Sequence, residues 1–155
     1  MGIGLSFAEA YEKAQIASGA KIPPKGSVFL SVRGTDQDHI GELGREFKEL
    51  GFNIIATEGT ANLFTENGIE VNSIFKVGEG RPNIVDAIKN GEIQLVINTP
   101  LGAQSRFDEY EIGRSAIRNK ITTITTISGA QAAVRGIRNL KAGAIQYHSL
   151  QEIFS

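Results

Sequence analysis

The chain has 155 residues, of which 41% are hydrophobic and 21% charged, with a formal net charge of −1 and no cysteine. That length holds one full core rather than two. The charge balance gives no footprint for nucleic acid or an anionic membrane surface, and the lack of cysteine excludes disulfides and thiolate metal sites. With no apolar run approaching the roughly 20 residues that cross a bilayer, and no signal-peptide design at the N-terminus, a cytoplasmic soluble domain is expected.

Ser6 is placed to cap a first helix, with Glu9 three residues on and Gly19 past its end. Phe7, Ala10, Tyr11, Ala14 and Ala17 make its apolar stripe. The stiff Ile22-Pro23-Pro24-Lys25-Gly26 then predicts a connector into a separate domain, so that Met1-Gly2 reads as an expression start on a fragment of something longer.

From residue 27 strands and helices alternate. Strands are expected over 28–32, 52–56, 71–75, 93–97 and 121–126. Asp36 or Asp38 starts a helix that carries Ile40, Leu43, Phe47 and Leu50 on one face and stops at Gly51. Further helices are expected over 60–67, over 82–90 with Pro82 in the first turn, from a cap at Asp108 to about 119, and from a cap at Ser128 to about 140. An irregular loop fills 99–107. The strands are apolar and β-branched, which suits a mostly parallel sheet covered on both faces.

In such sheets ligands bind beyond the carboxyl ends of strands, where the strand order reverses. Ser31, Thr57 and Asn98-Thr99 fall at those ends, and Thr57-Glu58-Gly59-Thr60 opens into a helix start, where free N–H groups and the helix dipole favour an anion. Lys76 supplies charge. Two readings stay open: these side chains hold a phosphate or carboxylate, or they satisfy loop backbone. Arg81 either clamps the anion or braces the glycine turn around Gly78 and Gly80, with bracing favoured. Catalysis has less support. His39 and His148 read as surface residues, Asp36, Asp38, Asp108 and Glu109 as helix-start charges, and no cluster has metal-ligand spacing. The hydroxyl-rich strand around Thr122-Thr123 and Thr125-Thr126 is expected to pack against another domain's end.

Taken in order, Ser31-Val32-Arg33, Gly51-Phe52, Ala56-Thr57-Glu58-Gly59-Thr60-Ala61, Lys76-Val77, Glu79-Gly80-Arg81-Pro82, Lys89-Asn90-Gly91 and Ile97-Asn98-Thr99 resemble the methylglyoxal-synthase-like domain. Asn98-Thr99-Pro100-Leu101-Gly102 and Arg114-Ser115-Ala116 are similar to the version at the C-terminal end of carbamoyl phosphate synthetase large chains. The resemblance implies a three-layer α/β/α fold with a five-stranded parallel sheet in the order 3-2-1-4-5. It divides the chain into a connecting helix and linker (1–24) from a preceding ATP-using region, a regulatory domain (25–142) and a C-terminal tail (143–155).

The implied task is allosteric. The parent makes carbamoyl phosphate for pyrimidine and arginine biosynthesis from glutamine-derived ammonia, bicarbonate and ATP with Mg or Mn; its partners are the ATP-grasp half of the same chain and a glutaminase small chain. The domain itself has no cofactor and binds UMP, IMP, ornithine or N-acetylglutamate. Ser31, Thr57, Thr60, Lys76, Asn98 and Thr99 inherit the effector contacts, with Gln37, Arg81 and Thr125 as accessories. Three departures bear on the effector. Gln37 stands where nucleotide-binding relatives carry a lysine, Pro100 where some carry a hydroxyl residue, and Thr123 where an ornithine-contacting relative has a tyrosine. The glycine-rich turn lacks the aspartate of methylglyoxal synthase, and no histidine lies between Asn98 and Asp108. Both absences count against methylglyoxal synthase activity, which leaves a free-standing phospho-lyase as an alternative only, beside a structural cap that has lost its effector. Thr60→Val is expected to weaken effector binding with little loss of stability.

Overall fold

The computed structural model describes residues 1–32, 34–99, 106–143 and 147–154, the side chains of 34, 35, 37, 106 and 154 excepted. Five parallel strands, β1 (Ser27–Ser31), β2 (Asn53–Thr57), β3 (Asn72–Ile74), β4 (Leu95–Asn98) and β5 (Thr122–Ile124), form one sheet in the order β3-β2-β1-β4-β5. This is the three-layer arrangement and strand order expected.

Alternate residues of β1 feed different cores. Val28 and Leu30 join a cluster with Ile40, Leu43 and Phe47 of α2 (Ile40–Glu49), Phe64 of α3 (Glu58–Glu66) and Val134 and Ile137 of α6 (Ile127–Lys141). Phe29 points the other way, to Ile84 and Ile88 of α4 (Ile84–Lys89) and Ile112 and Ala116 of α5 (Arg106–Arg118). Such two-sided burial is the main stabilising term, worth about 1.5–3 kcal/mol for each large side chain. The edge strand β3 departs from it: Asn72 and Ser73 are exposed, as befits a short, polar edge that resists strand pairing with another chain.

Several element starts differ from those expected. Asp36 and Asp38 lie in a 3₁₀ turn, Gly34–His39, and α2 continues from it at Ile40 without a side-chain cap. Pro82 stays outside α4; Asn83 caps that helix instead, its Oδ1 accepting from Val85 and Asp86 N–H at 3.0 and 3.2 Å while Asp86 accepts from Asn83 N–H at 3.0 Å. Thr126, rather than Ser128, caps α6 by accepting from Gly129 N–H at 3.0 Å, so β5 ends at Ile124. α5 begins at Arg106 and holds Asp108 and Glu109 in its first turn. Gly51, at φ +79°, takes the left-handed conformation that ends α2. Gly44 fills another need: a Cβ there would come within 2.5 Å of the Phe64 ring, so α3 approaches α2 this closely only over a glycine.

The first helix, α1 (Phe7–Ala17), is capped by Ser6, whose Oγ accepts from Glu9 N–H at 3.2 Å. It lies against α6, where Glu12 Oε2 accepts from Asn139 Nδ2 at 2.7 Å. In the following linker Thr122 Oγ1 donates to Lys21 O at 3.0 Å. Phe7, placed in the apolar stripe from sequence, is instead exposed, as is Ile16. The tail carries a short helix, α7 (Leu150–Phe154). His148 is not a surface residue: it is half-buried against α1, its Nε2 3.8 Å from Glu9 Oε1. Beside it, Lys13 Nζ sits 5.7 Å from the Tyr147 ring centroid and donates to Glu9 Oε1 at 2.6 Å. Among the described residues no helix is long and apolar enough to cross a membrane.

Candidate functional site

The sheet register builds the site. Leu30 pairs with Ala56 and Ser31 with Asn98, so Thr57, Ser31 and Asn98 end β2, β1 and β4 in one row. The order reverses between β1 and β4, which makes this the switch point of the sheet. A hollow of about 40 Å³ opens there, lined by Ser31, Thr57, Lys76 and Asn98, with Asp108, Glu109 and Ile112 of α5 closing it. Four of the expected effector residues, from four separate segments, thus share one cavity.

The other expected residues have different surroundings. Thr60 is buried and does not line the hollow. Its Oγ1 accepts from Val32 N–H and from Thr57 Oγ1, both at 3.3 Å, tying the start of α3 to the end of β1. Thr99 is buried, and its N–H donates to Ser31 O at 2.9 Å. Arg81, 84% exposed, does not line the hollow and faces Asp86 of α4 at 3.9 Å. Thr125 lies in a separate, wider depression beside Asp36, His39 and Ser128. The Gln37 side chain and the stretch from Pro100 through Gly102 lie outside the described residues.

Charge in the hollow is mixed. Lys76 is partly exposed, its Nζ 3.9 Å from Glu79 Oε1, and its N–H donates to Glu79 Oε2 at 3.2 Å. Burial raises the Asp108 carboxyl above the ordinary aspartate range; Lys76 pulls it down, and Glu79 and Glu109 push it up. Asp108, Glu109 and Ile112 were missed as rim residues because acidic residues in a first turn read as dipole partners. The signal that finds them is topological: the helix after β4 must start beside the β4 end, the same end that carries Asn98. Chemically, hydroxyl and amide groups with one ammonium can hold an anionic oxygen, while the α5 carboxylates oppose it. Among the described residues no group of three or more His, Asp or Glu is placed to hold a metal ion.

Comparison with known proteins agrees with this architecture. The family model described as "MGS-like domain" matches residues 39–125. A carbamoyl phosphate synthase large chain of Archaeoglobus fulgidus is 50% identical over 153 residues, 98% of this chain and 14% of that protein. A carbamoyl phosphate synthase large chain, C-terminal section, of Aquifex aeolicus is 42% identical over 160 residues, covering all of this chain and 30% of that protein. The arginine-specific large chain of Oryza sativa subsp. japonica, chloroplastic, is 45% identical over 155 residues, 99% of this chain and 13% of that protein. The chain therefore spans a minor part of each of these relatives. Since the matched family model covers more than half of the sequence and runs from the start of α2 to the end of β5, the chain belongs to the family of MGS-like domains.

Proposed function

We propose that the chain is the effector-binding regulatory module of a carbamoyl phosphate synthase large chain, itself non-catalytic. The observation that carries this reading is the shared hollow: Ser31, Thr57, Lys76 and Asn98 converge at the switch point of the sheet. The relatives' names supply the parent, a carbamoyl phosphate synthase large chain; its ATP-dependent ligase activity, its cytoplasmic location and its glutaminase partner are part of the proposal. Residues 1–24 serve as the joint to the ATP-using half, residues 25–142 as the module and 143–155 as a tail. Exposed Phe7 and Ile16 on α1 offer that half an apolar contact.

The lining of the hollow suggests how occupancy is felt. A phosphate or carboxylate head that enters meets the carboxylates of Asp108 and Glu109 and pushes the first turn of α5 outward. That displacement is what the rest of the enzyme reads, with a coupling of about 1–3 kcal/mol typical of such communication. The partly acidic rim also favours a second reading, a structural cap that no longer binds an effector.

Calorimetric and thermal-shift titrations with inorganic phosphate, UMP, IMP, ornithine and N-acetylglutamate decide between the two. A ligand at 100 times its dissociation constant stabilises the fold by about 2.7 kcal/mol, and Lys76→Met should abolish that gain. If none of these compounds shifts the wild-type chain, the cap reading replaces the regulatory one. Methylglyoxal formed at an enzymatic rate from dihydroxyacetone phosphate would overturn both.

A further inference from the structure

Helix α1 ends in a glycine turn. Gly19, at φ +78°, takes the left-handed conformation, and Ala20 N–H donates to Gln15 O at 3.1 Å, the pairing that closes a helix and redirects the chain. The linker that follows is pinned to β5 by the bond from Thr122 to Lys21 O. Helix, linker and the C-terminal half of α6 together bound a cavity of about 310 Å³. Its lining is aliphatic through Ile16, Ala20, Ile22 and Leu140, and Glu12 of α1 is the buried charge among them.

Glu12 is 4% exposed, and its carboxylate is half satisfied: Oε2 accepts from Asn139 Nδ2 at 2.7 Å, whereas Oε1 has no hydrogen-bond partner. A buried carboxylate oxygen without a donor is costly, and it calls for one from outside the fold. Lys21, the other charged residue of the lining, is exposed and leaves that oxygen unserved. The cavity is also about twice the roughly 150 Å³ of an apolar cavity that takes benzene. We infer that it binds a small organic cation: a primary ammonium that donates to Glu12 Oε1, carried on an apolar body of about six carbons that the aliphatic lining covers. Gly136 of the lining lies roughly 12 Å along α6 from Ser128, which lines the depression around Thr125, so these are separate places. The cavity shares no residue with the hollow, and its ligand stands independently of what the hollow holds.

Calorimetric titration of the 155-residue chain with hexylammonium, 1-hexanol and hexanoate, up to about 10 mM, tests the inference. The three probes share one carbon chain and differ in the charge of the head. Hexylammonium should bind at least roughly tenfold more tightly than hexanol, and hexanoate should bind least. Glu12→Gln keeps an oxygen for Asn139 and removes the charge, so it should bring hexylammonium down to the level of hexanol. Ala20→Leu fills part of the cavity and should weaken both. Hexylammonium should shift the amide resonances of Gly19 and Gly136 and leave those of Ser31 and Thr57 in place. Circular dichroism checks that each variant folds, and the comparison of the three probes on the wild-type chain needs no variant. Absence of hexylammonium binding at the highest concentration overturns the inference. So does hexanol or hexanoate binding as tightly as hexylammonium, affinity that ignores Glu12→Gln, or shifts centred on Ser31 and Thr57.

Discussion

The hydroxyl of Thr60 accepts a hydrogen bond from the backbone N–H of Val32 at 3.3 Å, across 28 residues of chain. The bond joins the first turn of α3 to the residue that follows β1. Thr60→Val removes the acceptor and leaves a buried N–H without it, so the substitution should destabilise the domain by about 1–3 kcal/mol. That reverses the expectation from sequence, which assigned the effect to the effector alone. Urea unfolding of Thr60→Val beside Thr60→Ser checks it: serine keeps the acceptor and should stay close to wild type, and equal losses in the two would show that the bond carries no weight.

Asn83 and Asp86 form a reciprocal capping box at the start of α4. Asn83→Ala deletes the acceptor for two backbone N–H groups and should lower stability by about 0.5–2 kcal/mol. The unfolding midpoint measures this, and Asn83→Asp should recover most of the loss.

Asp108 binds protons more tightly in the folded chain than in the unfolded one, because burial raises its carboxyl above 3.8. Between that ordinary value and the raised one the folded state carries more protons, so stability declines as pH climbs through the window. Asp108→Asn should remove this decline. It also takes one negative charge from the rim of the hollow and should tighten phosphate binding by about fivefold, the worth of one unit charge near 4 Å in water. Unfolding at a series of pH values and a phosphate titration read the two effects separately.

Glu9 runs in the opposite sense. The hydrogen bond from Lys13 is the largest cause holding its carboxyl below 4.5; burial works against it, and Leu5 N–H adds to the lowering. Its contribution is therefore complete above 4.5 and is lost as pH falls through the lower, folded-state value. Acidification should loosen α1, whose N-terminal segment is tied through Lys13 to Ile3 O, ahead of the sheet. Hydrogen exchange along α1 should show this, and Glu9→Gln should make α1 exchange insensitive to pH in that window.

At Gly44 a methyl group would meet the Phe64 ring at 2.5 Å and Ile69 at 3.0 Å, with Phe64 fully buried and unable to withdraw. Gly44→Ala should cost about 1–3 kcal/mol from overpacking, less the roughly 1 kcal/mol that alanine adds as a helix former. Thermal unfolding measures the balance, and a net gain would mean the core around α3 yields more readily than its packing implies.

Much of this architecture was legible because patterns of burial are written in the letters. Ile40, Leu43 and Phe47 recur at helical spacing, and residues 28–30 and 95–97 form unbroken apolar runs that only a two-sided sheet explains. Element starts were less legible where neighbouring residues compete for one task. Thr126 and Ser128 both suit a cap, and only the path of the chain leaving β5 selects the first. Asn83 outcompetes Pro82 because its amide oxygen reaches two N–H groups. In the candidate site, residues at strand ends could be foreseen from the sheet alone. Those reached from α5 follow only once the topology is used, because the helix after β4 must start beside that strand's end. Nor did sequence distinguish Thr57, which faces the hollow, from Thr60, which turns back into the fold.

Gly44 of α2 meets α3 at Phe64, about one turn on from Thr60, and so limits how deeply that helix can seat. Thr57 and Thr60 ride at the helix's leading end, so the gap between α2 and α3 sets where the threonines stand. The dimensions of the rim are in that sense adjusted from behind. Should the hollow hold an effector as proposed, chains of this kind with identical rim residues would differ in what they admit through a single methyl group outside the hollow's lining.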